Sequence, residues 1–171
     1  MLKDHSNQNI IDTNVIKVLI SDFWHVLLFP KDFQTRGSSN IVSKLIDGYA
    51  VFFDKYFVNE ELLKFYAEVK KKQELQLAIY SSGTLFKKPE LQPLLTPVFD
   101  QTYSSIDIRF EKNNPESYRF LAKELKVKTS EILFVDDSPN NIEVAKEAEV
   151  VTVHYHDNVQ VMSEISKTLN L

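Results

Sequence analysis

Four groups of polar residues stand next to short apolar runs in this chain, and their types belong to one chemistry. Asp22 follows the run from Val15 to Ser21, Ser81 and Ser82 follow Leu75 to Tyr80, and Asp136 and Asp137 follow Ile132 to Val135. Lys112 lies just before the helical pattern that leads into the last of these runs. A carboxylate can attack phosphorus to form an aspartyl-phosphate, while a lysine, a hydroxyl and a divalent cation neutralise the charge on the phosphoryl oxygens. Carboxylates are the hard oxygen ligands that Mg²⁺ prefers. Taken singly, an Asp ending a strand or an Asp-Asp turn opening a helix is most often a cap. Their order and placement together are what point to phosphoryl transfer.

These residues need elements that bring them to one edge. The three runs named above and a fourth, Val150 to Val153, read as buried strands, with Phe99 to Tyr103 as a weaker fifth. Helical patterns lie between them. Asn59 can cap a helix carrying Leu62, Leu63, Phe65, Tyr66 and Val69, with Glu60 and Glu61 in its first turn and Lys70, Lys71 and Lys72 in its last. Asn114 with Pro115 opens a second helix, with Tyr118, Leu121, Ala122 and Leu125 on one face, and Ser138 with Pro139 opens a third. Asn158 to Leu171 is an amphipathic helix that covers the sheet. Strands alternating with such helices predict a Rossmann-like α/β fold: a parallel sheet with helices on both faces and a ligand outside the strands' carboxyl ends.

Residues 29–58 interrupt the alternation. Tyr49, Phe52, Phe53, Tyr56 and Phe57 recur there at helical spacing, which predicts a small helical cap inserted after the first strand, its aromatic stripe serving packing. The expected organisation is a loose polar leader over residues 1–15, an α/β core over 16–28 and 59–171, and the cap over 29–58.

Composition narrows the partners. A chain of 171 residues fits one domain, with roughly 70% of its unfolded surface buried on folding. Lys and Arg number 20 against 24 Asp and Glu, so no basic field exists to hold nucleic acid. The absence of cysteine excludes disulfides, thiolate metal sites and a thiol nucleophile. No apolar run is long enough for a membrane helix, and the opening residues lack the pattern of a signal peptide, so the chain is expected to be cytoplasmic and without a membrane partner.

Spread along the chain are four motifs through which it resembles the haloacid dehalogenase-like hydrolases. The first is VLISDFWHVL, with Asp22 at the nucleophile position; the second is LAIYSSG, with Ser81 as phosphoryl-oxygen donor and the backbone of Ser82 and Gly83 nearby. KNNPESY supplies Lys112, and ILFVDDSPNN supplies Asp136 and Asp137 as the acidic pair. The resemblance runs from Lys17 to His154 and implies a Mg²⁺-dependent phosphatase acting on a small phosphate monoester. It assigns Asp22, Ser81 and Lys112 to catalysis and Asp22, Asp136, Asp137 and the backbone carbonyl of Trp24 to the metal. Ser82, Gly83, Trp24 and His25 would line the substrate site.

Position 24 departs from the pattern. The family's phosphatases carry a second Asp there, which protonates the leaving oxygen and then activates water, and the indole of Trp24 does neither. His25 is one candidate for a substitute proton carrier; Asp32 and Asp54 are others. Two alternative readings follow from the substitution. One is a catalytically impaired domain that binds a phosphorylated ligand or a protein partner. The other is a 2-haloacid dehalogenase-type enzyme, since those relatives carry an aromatic residue at this position; they lack the acidic pair, which Asp136 and Asp137 supply here. A smaller departure is Glu149, where relatives usually place a glycine to end the helix, and this predicts a different helix stop.

Overall fold

The computed structural model describes residues 15–31 and 49–171. All of the expected leader but Val15, together with Asp32 and most of the expected cap, lies outside the described residues. Five parallel strands form the main sheet: β1 (Val18–Ser21), β4 (Gln76–Ser81), β5 (Gln101–Ser104), β6 (Ile132–Asp136) and β7 (Val151–His154), in the order β5-β4-β1-β6-β7. The register places Ser21 beside Ile79 on one side and beside Val135 on the other. β1 is therefore central, and its carboxyl end opens between those of β4 and β6. All five expected strands are present, displaced by one to three residues, so that Ser81 and Asp136 close their strands instead of following them.

Alternation along the strands divides the core into two layers. Leu19, Leu77, Ile79, Leu133 and Val135 face a layer containing Leu62, Tyr66, Val69, Val161 and Ile165. Those partners come from α2 (Glu60–Gln73) and α7 (Asn158–Thr168). Val18, Ile20, Ala78, Tyr80, Ile132 and Phe134 face Tyr118, Leu121, Ile142 and Ala145. These come from α5 (Pro115–Leu125) and α6 (Pro139–Glu147). Two short helices, α3 (Gln92–Leu95) and α4 (Ser105–Ile108), flank β5. The caps expected at Asn59, Asn114 and Ser138 form: each side chain accepts a backbone N–H from the first turn of α2, α5 or α6.

Two expectations need correcting. The aromatic pattern after Tyr49 is not helical throughout. A helix, α1 (Tyr49–Lys55), gives way to a strand, β3 (Tyr56–Val58), which pairs antiparallel with β2 (Leu28–Pro30). Phe57 stacks on Phe29, centroids 5.2 Å apart, instead of continuing the helical stripe. The cross-strand stack lies on the outer side of the ribbon, where Phe57 keeps 46% of its surface exposed. The second correction concerns Glu149, which does not mark a new kind of helix stop. It adopts the left-handed conformation that glycine ordinarily supplies, with φ of 64°, and Val150 N–H donates to the Ala145 carbonyl at 3.1 Å.

Candidate active site

β1 carries the chain to Asp22 and holds it there from two sides. The Asp22 N–H donates to the Val135 carbonyl at 2.7 Å, extending the pairing one residue past the strand. Its carbonyl accepts the Ser21 hydroxyl at 2.8 Å, and Ser21 in turn accepts from Tyr66 on α2 at 3.3 Å. The Asp22 carboxylate is thus set by buried backbone, with little freedom of its own.

Lys112 enters from the loop before α5 and is 97% buried. Its Nζ donates to Asp22 Oδ1 and, at 2.9 Å, to Asp136 Oδ2. The ammonium also lies 5.4 Å from the Tyr80 ring centroid and 5.7 Å from that of Phe134. Burial opposes its charge, yet the two carboxylates overcome that and hold its pKa above the ordinary lysine value. The backbone here is fixed by Tyr118, whose hydroxyl sits 3.0 Å from the Lys112 carbonyl and 3.2 Å from that of Asn141 and donates to them.

Of the acidic pair, Asp136 is wholly buried and Asp137 half-buried. Asp136 Oδ1 accepts the Ser138 N–H at 2.8 Å and Asn141 Nδ2 at 3.1 Å; Oδ2 accepts Lys112 and, at 3.2 Å, Asn141. Those four contacts use about all the acceptor capacity of a carboxylate. Asp136 therefore positions Lys112 and is the least available of the three acids. Asp22 and Asp137 keep oxygens to spare. One oxygen from each of Asp22, Asp136 and Asp137 falls within 4.8 Å of the other two. Burial raises the Asp22 pKa to about 7, with Asp136 adding to the rise and Lys112 opposing it. The pKa of Asp137 is raised likewise by burial first and then by Asp136, with His25 opposing. Crowded, partly desolvated carboxylates of this kind are a set that a hard divalent cation fits and relieves.

Asp22, Asp137 and Lys112 line a cavity of about 510 Å³, with Asp136 buried behind them. Asp22, Ser81, Lys112, Asp137 and Asn141, from the strand ends and the segments beside them, form one part of its lining, and Trp24 with residues of the loop from Ser82 to Pro89 forms another. Most of the sequence-derived site residues therefore meet at one opening. Ser81 accepts the Gly83 N–H at 3.4 Å, and a Cβ at Gly83 would meet nothing within 4 Å, so glycine is not demanded there by packing. Trp24 is half-buried, its ring edge-on to Tyr56 at 5.7 Å. His25 is set apart from the cleft lining. Its backbone is left-handed, with φ of 62°, and its Nδ1 lies 3.5 Å from Asp137 Oδ2. Asp54 is exposed on α1 and is not among the lining residues. Asn141 escaped the sequence reading, as did Tyr118 in this role; the signals were the Asn in the first turn after the acidic pair and the Tyr of KNNPESY.

The family model for haloacid dehalogenase-like hydrolases matches residues 22–149, a span that begins at Asp22 and includes all the residues around Lys112. This chain belongs to that family. Solved structures agree on the fold. A predicted HAD-like family hydrolase from Porphyromonas gingivalis superposes with a TM-score of 0.68 at 15% identity, over 92% of this chain and 99% of that one. A HAD family enzyme from Bacteroides thetaiotaomicron, crystallised with magnesium and inorganic phosphate, gives 0.59 at 18% identity over 82% and 94%. Among curated proteins, bifunctional epoxide hydrolase 2 of Mus musculus is 32% identical over 73 residues, 43% of this chain. The chain spans only 13% of that relative's length. No helix among the described residues of this haloacid dehalogenase-like hydrolase is long and apolar enough to cross a membrane.

Proposed function

We propose that this chain is a Mg²⁺-dependent hydrolase of phosphate monoesters, with Asp22 as nucleophile. The observation that carries the reading is the buried Lys112 bridging Asp22 and Asp136 where the cavity opens, with Asp137 beside them. Asp22 Oδ1 is held by Lys112, which leaves Oδ2 to attack phosphorus. The new bond is an aspartyl-phosphate, and the ester oxygen departs with the electron pair of the broken P–O bond. Lys112 and the Ser81 hydroxyl meet the phosphoryl oxygens, and Asp136 keeps Lys112 charged and in place. Asp22, Asp137 and the Trp24 carbonyl would hold Mg²⁺, with Asp136 completing the acidic set behind them. When bound, the cation neutralises phosphoryl charge. Dehalogenation fits less well, because three carboxylates share the single Lys112 ammonium, and the surplus negative charge beside Asp22 calls for a metal cation.

Trp24 favours a second reading. An indole braced by Tyr56 at the cleft is neither acid nor base near neutral pH, and a domain that binds phosphate without turning it over would look the same. Phosphate release from a panel of phosphomonoesters, measured with and without Mg²⁺ in wild type, Asp22→Asn and Trp24→Asp, separates the two. Mg²⁺-dependent release that disappears in Asp22→Asn is the expected result. Wild-type silence with activity gained by Trp24→Asp would establish the binding domain instead, and unchanged activity in Asp22→Asn would overturn the nucleophile.

A further inference from the structure

The charges along the cleft do not all have partners. Lys112 is shared between Asp22 and Asp136. On the loop that follows β4, Lys87 is neutralised by Asp107, its Nζ 2.6 Å from Oδ2, and Asp107 is itself fixed by the Ser104 hydroxyl at 2.7 Å. Lys88 differs from both. It lines the same cavity, is half-buried, and has no carboxylate partner among the described residues.

Its backbone is held in place. The Lys88 N–H closes a 3₁₀ turn on the Leu85 carbonyl at 3.1 Å, and the residue then turns extended, with φ of −60° and ψ of 135°. Pro89 enforces that conformation by excluding the helical region for the residue before it. Gln92 Nε2 donates to the Phe86 carbonyl at 2.8 Å and to that of Lys88 at 3.3 Å, tying the loop to α3. An unpaired ammonium on a fixed backbone, lining the same cavity as Asp22, is placed for an anion that enters it.

We propose that Lys88 binds a second anionic group of the substrate, so that the cleft takes phosphomonoesters that also carry a carboxylate or another phosphoryl group. The proposal rests on the phosphohydrolase reading and names its substrate class. The transferring phosphoryl is already served by Lys112 and Ser81, which leaves Lys88 for the far end of the molecule.

Titration calorimetry on the Mg²⁺-loaded protein with three non-hydrolysable probes tests this. Propylphosphonate has one anionic end, 3-phosphonopropanoate adds a carboxylate, and propane-1,3-bisphosphonate adds a second phosphonate. Wild type is expected to bind at least one of the two-headed probes about tenfold more tightly than propylphosphonate, the scale of one charge-assisted contact. The stronger of the two identifies the second group. Lys88→Ala should remove the preference and leave propylphosphonate affinity unchanged, and Lys88→Arg should retain it. Equal affinity of wild type for all three probes, a preference that survives in Lys88→Ala, or an equal loss for all three in Lys88→Ala would each overturn the proposal while leaving the phosphohydrolase reading standing. Failure of wild type to bind any probe would overturn that reading and the proposal with it.

Discussion

The two walls of the cleft are built on different principles. On the strand-end wall the buried charges are interlocked: Lys112 joins Asp22 to Asp136, Asn141 and Ser138 close the remaining valences of Asp136, and Tyr118 braces the loop that carries the lysine. The loop wall carries Trp24, residues of the Ser82–Pro89 loop and among them an unpaired Lys88, and beside Gly83 there is open space. An interlocked wall holds reacting groups within the narrow tolerance that chemistry needs. A wall with free groups and room can change its contacts without disturbing the fold, and substrate choice belongs there.

If that contrast is right, the largest effect comes from opening the interlocked wall. Lys112→Met leaves Asp22 and Asp136 buried side by side without their cation. The expected loss of stability is about 3–5 kcal/mol, the range for stripping one partner from a buried pair. Denaturant titration measures it, and phosphate release should vanish with it. A loss below about 1 kcal/mol, the scale of an exposed ion pair, would mean that the network is solvated and that the two walls are alike.

On the loop wall Trp24→Asp gives up the contact with Tyr56 and some stability with it, and its decisive effect is on rate. Supplying a carboxylate where the described lining has an indole is expected to speed hydrolysis of alkyl phosphates by about 10²–10⁴, the usual worth of a general acid. Aryl phosphates, whose leaving groups depart without a proton, should gain far less. Comparing kcat for p-nitrophenyl phosphate and an alkyl phosphate in both proteins checks this. An equal gain for both substrates would show that proton delivery to the leaving group is not what position 24 limits.

This difference between the walls also explains what the sequence could tell. Asp22, Ser81 and Asp137 are legible because each sits beside a buried apolar run, and the run gives away both the strand and its end; Lys112 is legible from its place in KNNPESY, just before the Asn114–Pro115 helix start. Asn141 is less so, because its hydrogen bonds to Asp136 exist only once α6 is laid against β6. Tyr56 and Phe57 mislead because aromatic residues three and four apart fit a helix, and a three-residue strand is too short to show alternation. The pairing of β3 with β2 decides their conformation, and that pairing spans residues far apart in the chain. Lys88 is a lysine like any other until Lys87 is seen to be paired and Lys88 not.

Outside the cleft lining, Asn59 ties the β2–β3 ribbon to α2 and α7. Its Nδ2 is within reach of the Val26 carbonyl at 2.9 Å and Asn158 Oδ1 at 2.8 Å, while its Oδ1 caps α2 through the Leu62 N–H at 3.2 Å. Asn59→Ala removes a helix cap and leaves a buried carbonyl without its donor, for a combined cost of about 2 kcal/mol. Trp24 packs against the ribbon that Asn59 anchors, so KM should rise more than kcat falls. A fall in kcat with KM untouched would show that Asn59 serves the strand-end wall instead.

The smallest effect tests the open wall at its emptiest point. Gly83 has no left-handed φ, and a Cβ there meets nothing within 4 Å. Alanine at such a position restricts the unfolded chain without straining the folded one, so Gly83→Ala should add about 0.4–1 kcal/mol of stability. Its N–H still reaches Ser81, since that bond is made by backbone. Turnover of a small phosphomonoester should therefore be retained, and only substrates that fill the space beside Gly83 should lose affinity. Destabilisation by alanine, read from the denaturation midpoint, would mean that this wall is as tightly constrained as the one carrying Lys112, and the division of labour between them would fall.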